Sequence, residues 1–401
     1  MRVPQPTARV REIEYAIRDV AIHARRLEKA GHKIIYLNIG DPVAFDFPTP
    51  DHIKAALLKA VQEDFNAYSS SEGLPELREA IAAKEKRVNN VDIAPEDVVL
   101  TNGVSEGIQM LMAALVDEGD EVLLPSPTYP PYAAYVKFFG GRPVFYKTLE
   151  ESGWKPDVED LRRKISPRTV GIVIINPNNP TGSLYDAASV KFIADTAGEA
   201  GVPIISDEIY DRIIFDGRLV SAASVAGDVP VVGLNGFSKA YLMTGWRLGY
   251  IYFHNPNGVL TDMRENILKE ARIRLCANTP VQRAAVAALN GPQTHIPALA
   301  HKLRERRDHA LKLLSEIPGV SCAKPDGAFY MFPRVDGIGS VWKDDKDFVF
   351  SFLEKAHVLV VHGSGFHVLG ESKHFRSTFL PPIETLNAAL EKLASFMKPC
   401  R

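Results

Sequence analysis

Apolar positions in the middle of this chain fall in short unbroken runs rather than in alternation. The runs are "DVVLTNG" from 97, "EVLLPSP" from 121, "PVFYKTL" from 143, "TVGIVIINP" from 169, "VPIISDE" from 202, "PVVGLNGFS" from 230 and "LGYIYF" from 248. They are rich in β-branched residues and bounded by Pro, Gly, Asn or Asp. Strands apolar on both faces belong to a parallel or mostly parallel sheet covered by helices. "SEGIQMLMAALV" from 105 and "DAASVKFIADTAGEAG" from 186 predict helices between strands. The pattern therefore predicts an α/β fold with a mostly parallel seven-stranded sheet sandwiched by helices. Beyond about residue 290 the texture changes. "HIPALAHKLRERRDHALKLLSEI" predicts a long amphipathic helix, "GAFYMFPRV" and "HVLVVHGSG" predict strands, and "IETLNAALEKLASFM" a closing helix. This is a smaller α+β domain. The expected division is an N-terminal arm over 1–45 associated with the small domain, a large domain over 46–290, and the C-terminal small domain over 291–401.

Composition removes some functions. The chain has 401 residues, 46% of them hydrophobic, ample for a sizeable core. A formal net charge of -2 gives no polybasic footprint, so nucleic acid is not an expected partner. Cys276, Cys322 and Cys400 stand far apart with no CxxC, which suits a reducing compartment. No apolar run approaches the ~20 residues of a membrane helix, and no secretory h-region is evident near the N-terminus. A soluble cytoplasmic protein is expected.

The apolar strands end in polar residues. Asn102 and Gly103 follow the first, Asn176 to Gly182 the fourth, Asp207 the fifth, and Ser238 with Lys239 the sixth. In open α/β sheets, ligands bind outside the carboxyl ends of the strands. Loops are polar anyway, but four such ends carrying Asn, Asp, Ser and Lys point to one site. "TNGVSEGIQ" offers a tight turn at Gly103 and a helix opening near Ser105, whose exposed N–H groups would seat an anion. The same stretch matches G-x-S-x-G, the nucleophile elbow of α/β-hydrolases, with Ser105 as nucleophile. Only one clear strand precedes it, and no HGGG-type loop lies upstream. Asp207 ends an apolar strand and needs a cationic partner, and Tyr210 follows three residues later. Lys239 sits in the nearly uncharged run "NGFSKAYLMTGWRLGY", eight positions before Arg247. A desolvated Lys239 near another cation would offer a neutral amine, and Arg247 could clamp a phosphate. Together these groups describe a site for pyridoxal phosphate. No GxxxxGK followed by Ser or Thr surrounds Lys239, so a P-loop is not the answer.

"YLNIGDP", "YSSSEGLPELREAI", "LTNGVSEGIQ", "PSPTYPPY", "NPNNPTG", "SDEIY", "GFSKAYLMTGWRLGY" and "HFRSTFLPP" occur in this order over nearly the whole chain. The sequence resembles the fold-type I, class I/II pyridoxal-phosphate aminotransferases. The resemblance implies that Lys239 forms the Schiff base and moves the substrate proton, and that Asp207 partners the pyridine nitrogen. It implies that Tyr210 and Asn179 bond the phenolic oxygen and that Tyr129 stacks on the ring. Backbone N–H groups of Val104 and Ser105, with Ser238 and Arg247, would form the phosphate cup. Tyr68 would reach the phosphate of a neighbouring subunit, implying a homodimer. Arg376 and Gly40 would hold the substrate carboxylate. The likeness is nearest to the alanine aminotransferase group, where Tyr15 and Arg18 would line the substrate end, Arg18 receiving the distal carboxylate of glutamate or 2-oxoglutarate. The competing view of Arg18 is a helix-surface pair with Glu14 at i,i+4. Aspartate and aromatic aminotransferases share the cofactor motifs. A non-catalytic sensor role is the remaining class; no DNA-binding extension is evident. His357, His362, His367 and His374 cluster in sequence but are expected to be structural, with no metal.

Overall fold

The computed structural model describes residues 3–11, 13 and 16–398. Its main sheet has β1 (Val98–Thr101), β2 (Glu121–Ser126), β3 (Arg142–Leu149), β4 (Lys155–Pro156), β5 (Thr169–Ile175), β6 (Ile204–Asp207), β7 (Val231–Gly236) and β8 (Gly249–His254). The spatial order is β1-β8-β7-β6-β5-β2-β3-β4. All seven expected runs are strands of this sheet. The eighth, β4, is a two-residue edge strand paired antiparallel to the end of β3.

Every residue of β1, β2, β6 and β7 is buried, which is why these runs carry no polar alternation. Strands β3, β2, β5, β6 and β7 pair in parallel. Strand β8 is antiparallel to both β7 and β1. The two reversals return β1 to the direction of β7. The carboxyl ends of β1, β5, β6 and β7 therefore lie at one rim, the place where such sheets bind ligands. One face packs Leu123, Ile172, Ile204 and Val231 against helices, and the other packs Val122, Val173, Ile205 and Val232.

A third core joins the two ends of the chain. Ala16–Lys29 contributes Ile17, Val20 and Ala24, which cluster with Phe348, Leu353, Phe375 and Leu393. Ile35–Tyr36 pairs in parallel with Val358–Leu359. The helix His295–Ser315 spans two cores, with Ile296 in one of the sheet cores and Leu299 and Leu303 in the third. "GAFYMFPRV" forms two short strands instead of one. Tyr330–Met331 pairs with Ser377–Thr378, and Arg334–Val335 with Val320–Ser321. "HVLVVHGSG" splits likewise, its second half pairing with Phe375–Arg376.

Candidate active site

At the end of β1 the chain turns at Gly103 (φ 82°) straight into the helix Val104–Leu115. A Cβ at Gly103 would run into the guanidinium of Arg247, so glycine leaves the space in which backbone and cation meet. Arg247 donates to the carbonyls of Thr244 (2.9 Å) and Asn102 (3.3 Å), which fix its head beside the turn. Val104 and Ser105 open the helix, and first-turn N–H groups have no partner within a helix. Two such donors, the helix dipole and a guanidinium make an anion seat. Ser238, at the end of β7, lines the same cavity.

Next to this seat, Lys239 donates to the Gly40 carbonyl at 2.6 Å. Burial pushes its pKa down to about 8, and Arg247 and Arg376 act the same way against Asp41 and Asp207. Asp207 closes β6 and is almost fully buried. Burial pushes its pKa up to about 6, although Tyr132 Oη donates to Oδ2 (2.9 Å) and the Ile209 N–H to Oδ1 (3.2 Å). A protonated ring nitrogen would hold this carboxylate ionised. Tyr210 Oη bonds Tyr330 Oη at 2.9 Å, and burial pushes its pKa well above the ordinary phenol value. Arg376 is buried, donates to Asn179 Oδ1 (2.9 Å) and to the Asn38 carbonyl, and lies 4.5 Å over the Tyr330 ring.

These groups line one cavity of about 500 Å³. It brings together Arg18, Gly40, Val104, Ser105, Tyr129, Asn179, Asp207, Tyr210, Ser238, Lys239, Arg247 and Arg376. Chain segments from both ends of the molecule meet the sheet rim there. The class I and II aminotransferase family matches the chain over residues 32–393. The chain belongs to the class I and II aminotransferases. Alanine aminotransferase of Mycobacterium tuberculosis is 40% identical, covering 98% of this chain and 92% of that protein. The glutamate-pyruvate aminotransferase AlaA of Escherichia coli is 38% identical over 98% of each chain. The solved structure of alanine aminotransferase from Pyrococcus furiosus superposes with a TM-score of 0.96 at 54% identity, covering 98% of this chain and 100% of that one.

The enzyme therefore has the fold-type I architecture and depends on pyridoxal phosphate, acting on amino and oxo acids. The site fits that cofactor on its own chemistry. It offers an amine of lowered pKa, a buried carboxylate whose burial resists ionisation, and an anion seat whose glycine leaves no room for a Cβ.

Tyr68 does not line the cavity of its own chain and is 80% exposed. Tyr15 and Glu14 lie outside the described residues, and the Glu14–Arg18 pairing with them. The four histidines have separate neighbours. His357 packs on His32 (4.4 Å), His362 Nδ1 meets Ser364 Oγ (2.8 Å), His367 stacks on Phe145 (5.1 Å), and His374 Nε2 meets Glu150 (3.1 Å). No helix among the described residues is long and apolar enough to cross a membrane.

Ser105 lacks the makings of a hydrolase nucleophile. Among the described residues no histidine lines the cavity. The positive φ of the turn belongs to Gly103, while Ser105 is an ordinary first-turn helical residue. A serine-directed fluorophosphonate is expected to leave Ser105 unlabelled; stoichiometric labelling there, read by peptide mass, would reopen the hydrolase.

Sequence reasoning missed four lining or supporting residues. Tyr132 orients Asp207, Tyr330 meets Tyr210, and Asp41 accepts from Thr244 Oγ1 at 2.8 Å beside Arg247. Tyr132, Asp41 and Thr244 stand within the quoted "PSPTYPPY", "YLNIGDP" and "GFSKAYLMTGWRLGY", which are the signals that could single them out. Tyr330, in the aromatic run "GAFYMFPRV", carries none.

Proposed function

We propose that the enzyme is an alanine aminotransferase, moving the amino group between L-alanine and 2-oxoglutarate in a ping-pong cycle, as a cytoplasmic homodimer. The observation that carries this reading is the convergence of Lys239, Arg247 and Arg376 on one cavity, with Arg18 at its edge. Lys239, Arg247 and Arg376 answer three needs: a nucleophilic amine, a phosphate and an α-carboxylate. The alanine-active names of the full-length relatives support the choice of amino acid. The proposed organisation is an arm over 1–45, a large domain over 46–290 and a small domain over 291–401.

When bound, pyridoxal phosphate supplies an electrophilic carbonyl carbon and an electron-withdrawing ring. Lys239 Nζ would hold it covalently, Asp207 its ring nitrogen, and Tyr210 with Asn179 its phenolic oxygen, with Tyr129 against the ring. Val104 and Ser105 N–H groups, Ser238 and Arg247 would hold the phosphate, joined by Tyr68 of the partner subunit. Arg376 and the Gly40 backbone would orient the substrate so that its α-proton faces Lys239. Once the substrate's amino group takes over the covalent bond and frees Lys239 Nζ, that amine would take the proton from Cα. Arg18, with Tyr15, would meet the far end of the longer substrate.

The test is a half-reaction. Alanine and glutamate, added singly to the cofactor-loaded enzyme, are expected to bleach its visible band quickly, and aspartate, tyrosine and kynurenine slowly. Rapid bleaching by aspartate or the aromatics would move the assignment to those aminotransferases. Arg18→Gln separates the two substrates. It is expected to lower kcat/KM for glutamate about 10–100-fold, the worth of a charged hydrogen bond, and to leave alanine within about threefold. Equal losses for both would remove Arg18 from the distal-carboxylate role.

A further inference from the structure

Tyr330 has no signature in the sequence and no part in the roles above, yet it touches three of the residues that carry them. Its hydroxyl lies 2.9 Å from Tyr210 Oη. Its ring lies under the Arg376 guanidinium at 4.5 Å, and Phe366 supports the same guanidinium at 4.8 Å. A Cβ on Gly40 would overlap the Tyr330 hydroxyl, so these two residues are in close contact, and Gly40 accepts the bond from Lys239.

The backbone holds Tyr330 where these contacts meet. Tyr330 pairs with Thr378, two residues along the strand from Arg376. Just before it, Asp326 and Gly327 donate to the Gly182 carbonyl (2.9 Å each), Ala328 donates to Ile213 (2.9 Å), and Phe215 donates to Asp326 (2.8 Å). The segment is thus clamped to the loop after β5, which bears Asn179, and to the loop after β6, which bears Tyr210.

A core aromatic would explain the ring but not the hydroxyl. Phenylalanine fills almost the same volume, and a buried hydroxyl costs stability unless bonded. Here the bond runs to another hydroxyl. Two hydroxyls share two protons, and the bond between them uses one. Either Tyr330 donates and Tyr210 keeps its proton for the cavity, or Tyr210 donates and has none to give.

We propose that Tyr330 is a positioning residue of the aminotransferase reaction: its hydroxyl donates to Tyr210 and so aims the Tyr210 proton into the cavity, while its ring seats Arg376. This rests on the reading of Tyr210 as the partner of the cofactor's phenolic oxygen. The polarity follows from that role, because only a Tyr210 that accepts from Tyr330 can donate onward. Donating chains strengthen one another in a low-dielectric site, so Tyr330 also makes Tyr210 a better donor.

The test compares wild type, Tyr330→Phe and Tyr210→Phe, each loaded with pyridoxal phosphate, by pH titration of the bound cofactor's visible band. Tyr330→Phe keeps the ring under Arg376 and removes only the hydroxyl. It is expected to raise the apparent pKa of the band by about 0.5–1 pH unit, the scale of one neutral hydrogen bond. The same variant is expected to lower kcat about 2–10-fold with KM for alanine changed less than about twofold. Tyr330→Leu, which also removes the ring, is expected to raise KM as well. A Tyr330→Phe titration that coincides with wild type, or shifts downward, overturns the proposal when Tyr210→Phe does shift the band. A downward shift would mean that Tyr330 competes for the Tyr210 proton. If Tyr210→Phe leaves the titration unmoved too, the reading of Tyr210 fails and the proposal falls with it.

Discussion

Lys239→Ala is expected to lower kcat/KM for alanine about ten-thousand-fold or more, and Lys239→Arg to do the same. A positioned general base alone contributes about 10²–10⁴-fold, and Lys239 is also the proposed covalent attachment. The arginine variant separates chemistry from charge. Arginine keeps the cation near Asp207 and Asp41 but stays protonated at any working pH, so it can neither attack a carbonyl nor accept a proton. The wild-type amine differs because burial, with Arg247 and Arg376, brings its pKa to about 8. In the cofactor-free enzyme the amine loses its proton as pH rises through that value, so formation of its covalent bond to added pyridoxal phosphate should speed up from pH 7 to pH 9. Steady-state rates check the two variants, and growth of the visible band on adding pyridoxal phosphate checks the pH dependence. Retention of a tenth of the wild-type rate by either variant would take Lys239 out of the proton transfer.

The sheet and much of the candidate site are legible because both follow from local pattern. Strands buried on both faces leave an apolar run, and a polar residue at a strand's carboxyl end interrupts it. Asp207, Lys239 and the Gly103 turn are of this kind. Strand β4 leaves no trace in the sequence because Lys155–Pro156 is two residues long and ends in proline. The two C-terminal apolar runs each predict one strand, and the structure divides each in two. "GAFYMFPRV" and "HVLVVHGSG" each serve two separate pairings, and pairing depends on distant partners. Tyr330 illustrates the same limit at the site. It meets Tyr210 across 120 residues of chain, and a tyrosine in an aromatic run looks like any core residue. Arg376 needed the family resemblance for the same reason. Its neighbours Asn38, Asn179 and Tyr330 come from three distant segments.

Lys84→Met is expected to destabilise the folded enzyme by about 3–5 kcal/mol, the usual result of removing one partner from a buried ion cluster. Lys84 ends the helix Pro75–Lys84 and belongs to no motif, yet it is one of the most deeply buried side chains. Its ammonium meets Glu85 Oε1 at 2.9 Å and bonds Asp211 Oδ2, with Tyr250 Oη at 3.4 Å. Burial works to lower its pKa, but Asp211 and Glu85 overcome this and hold it above the ordinary lysine value. Methionine matches the length of the stem but leaves two carboxylates close together in the interior without a cation. Acid protonates orphaned carboxylates, so the deficit should narrow as pH falls. Adding Asp211→Asn should recover part of it by removing one of the two charges. The first denaturant transition of each variant, measured at two pH values, reads these differences; a loss under about 1 kcal/mol for Lys84→Met would show that water or rearrangement relieves the cluster. The effect should also reach the chemistry. Asp211 Oδ2 accepts from Asn235 Nδ2 (3.0 Å) as well as from Lys84 and Asn89. Asn235 lies on β7 four residues before Lys239, and Asp211 immediately follows Tyr210. One carboxylate thus ties together the ends of two strands that deliver the proposed base and the proposed phenol partner. Loosening it should cost activity in the fraction that remains folded, through kcat more than through KM, because Arg376 and Gly40 stand on other segments.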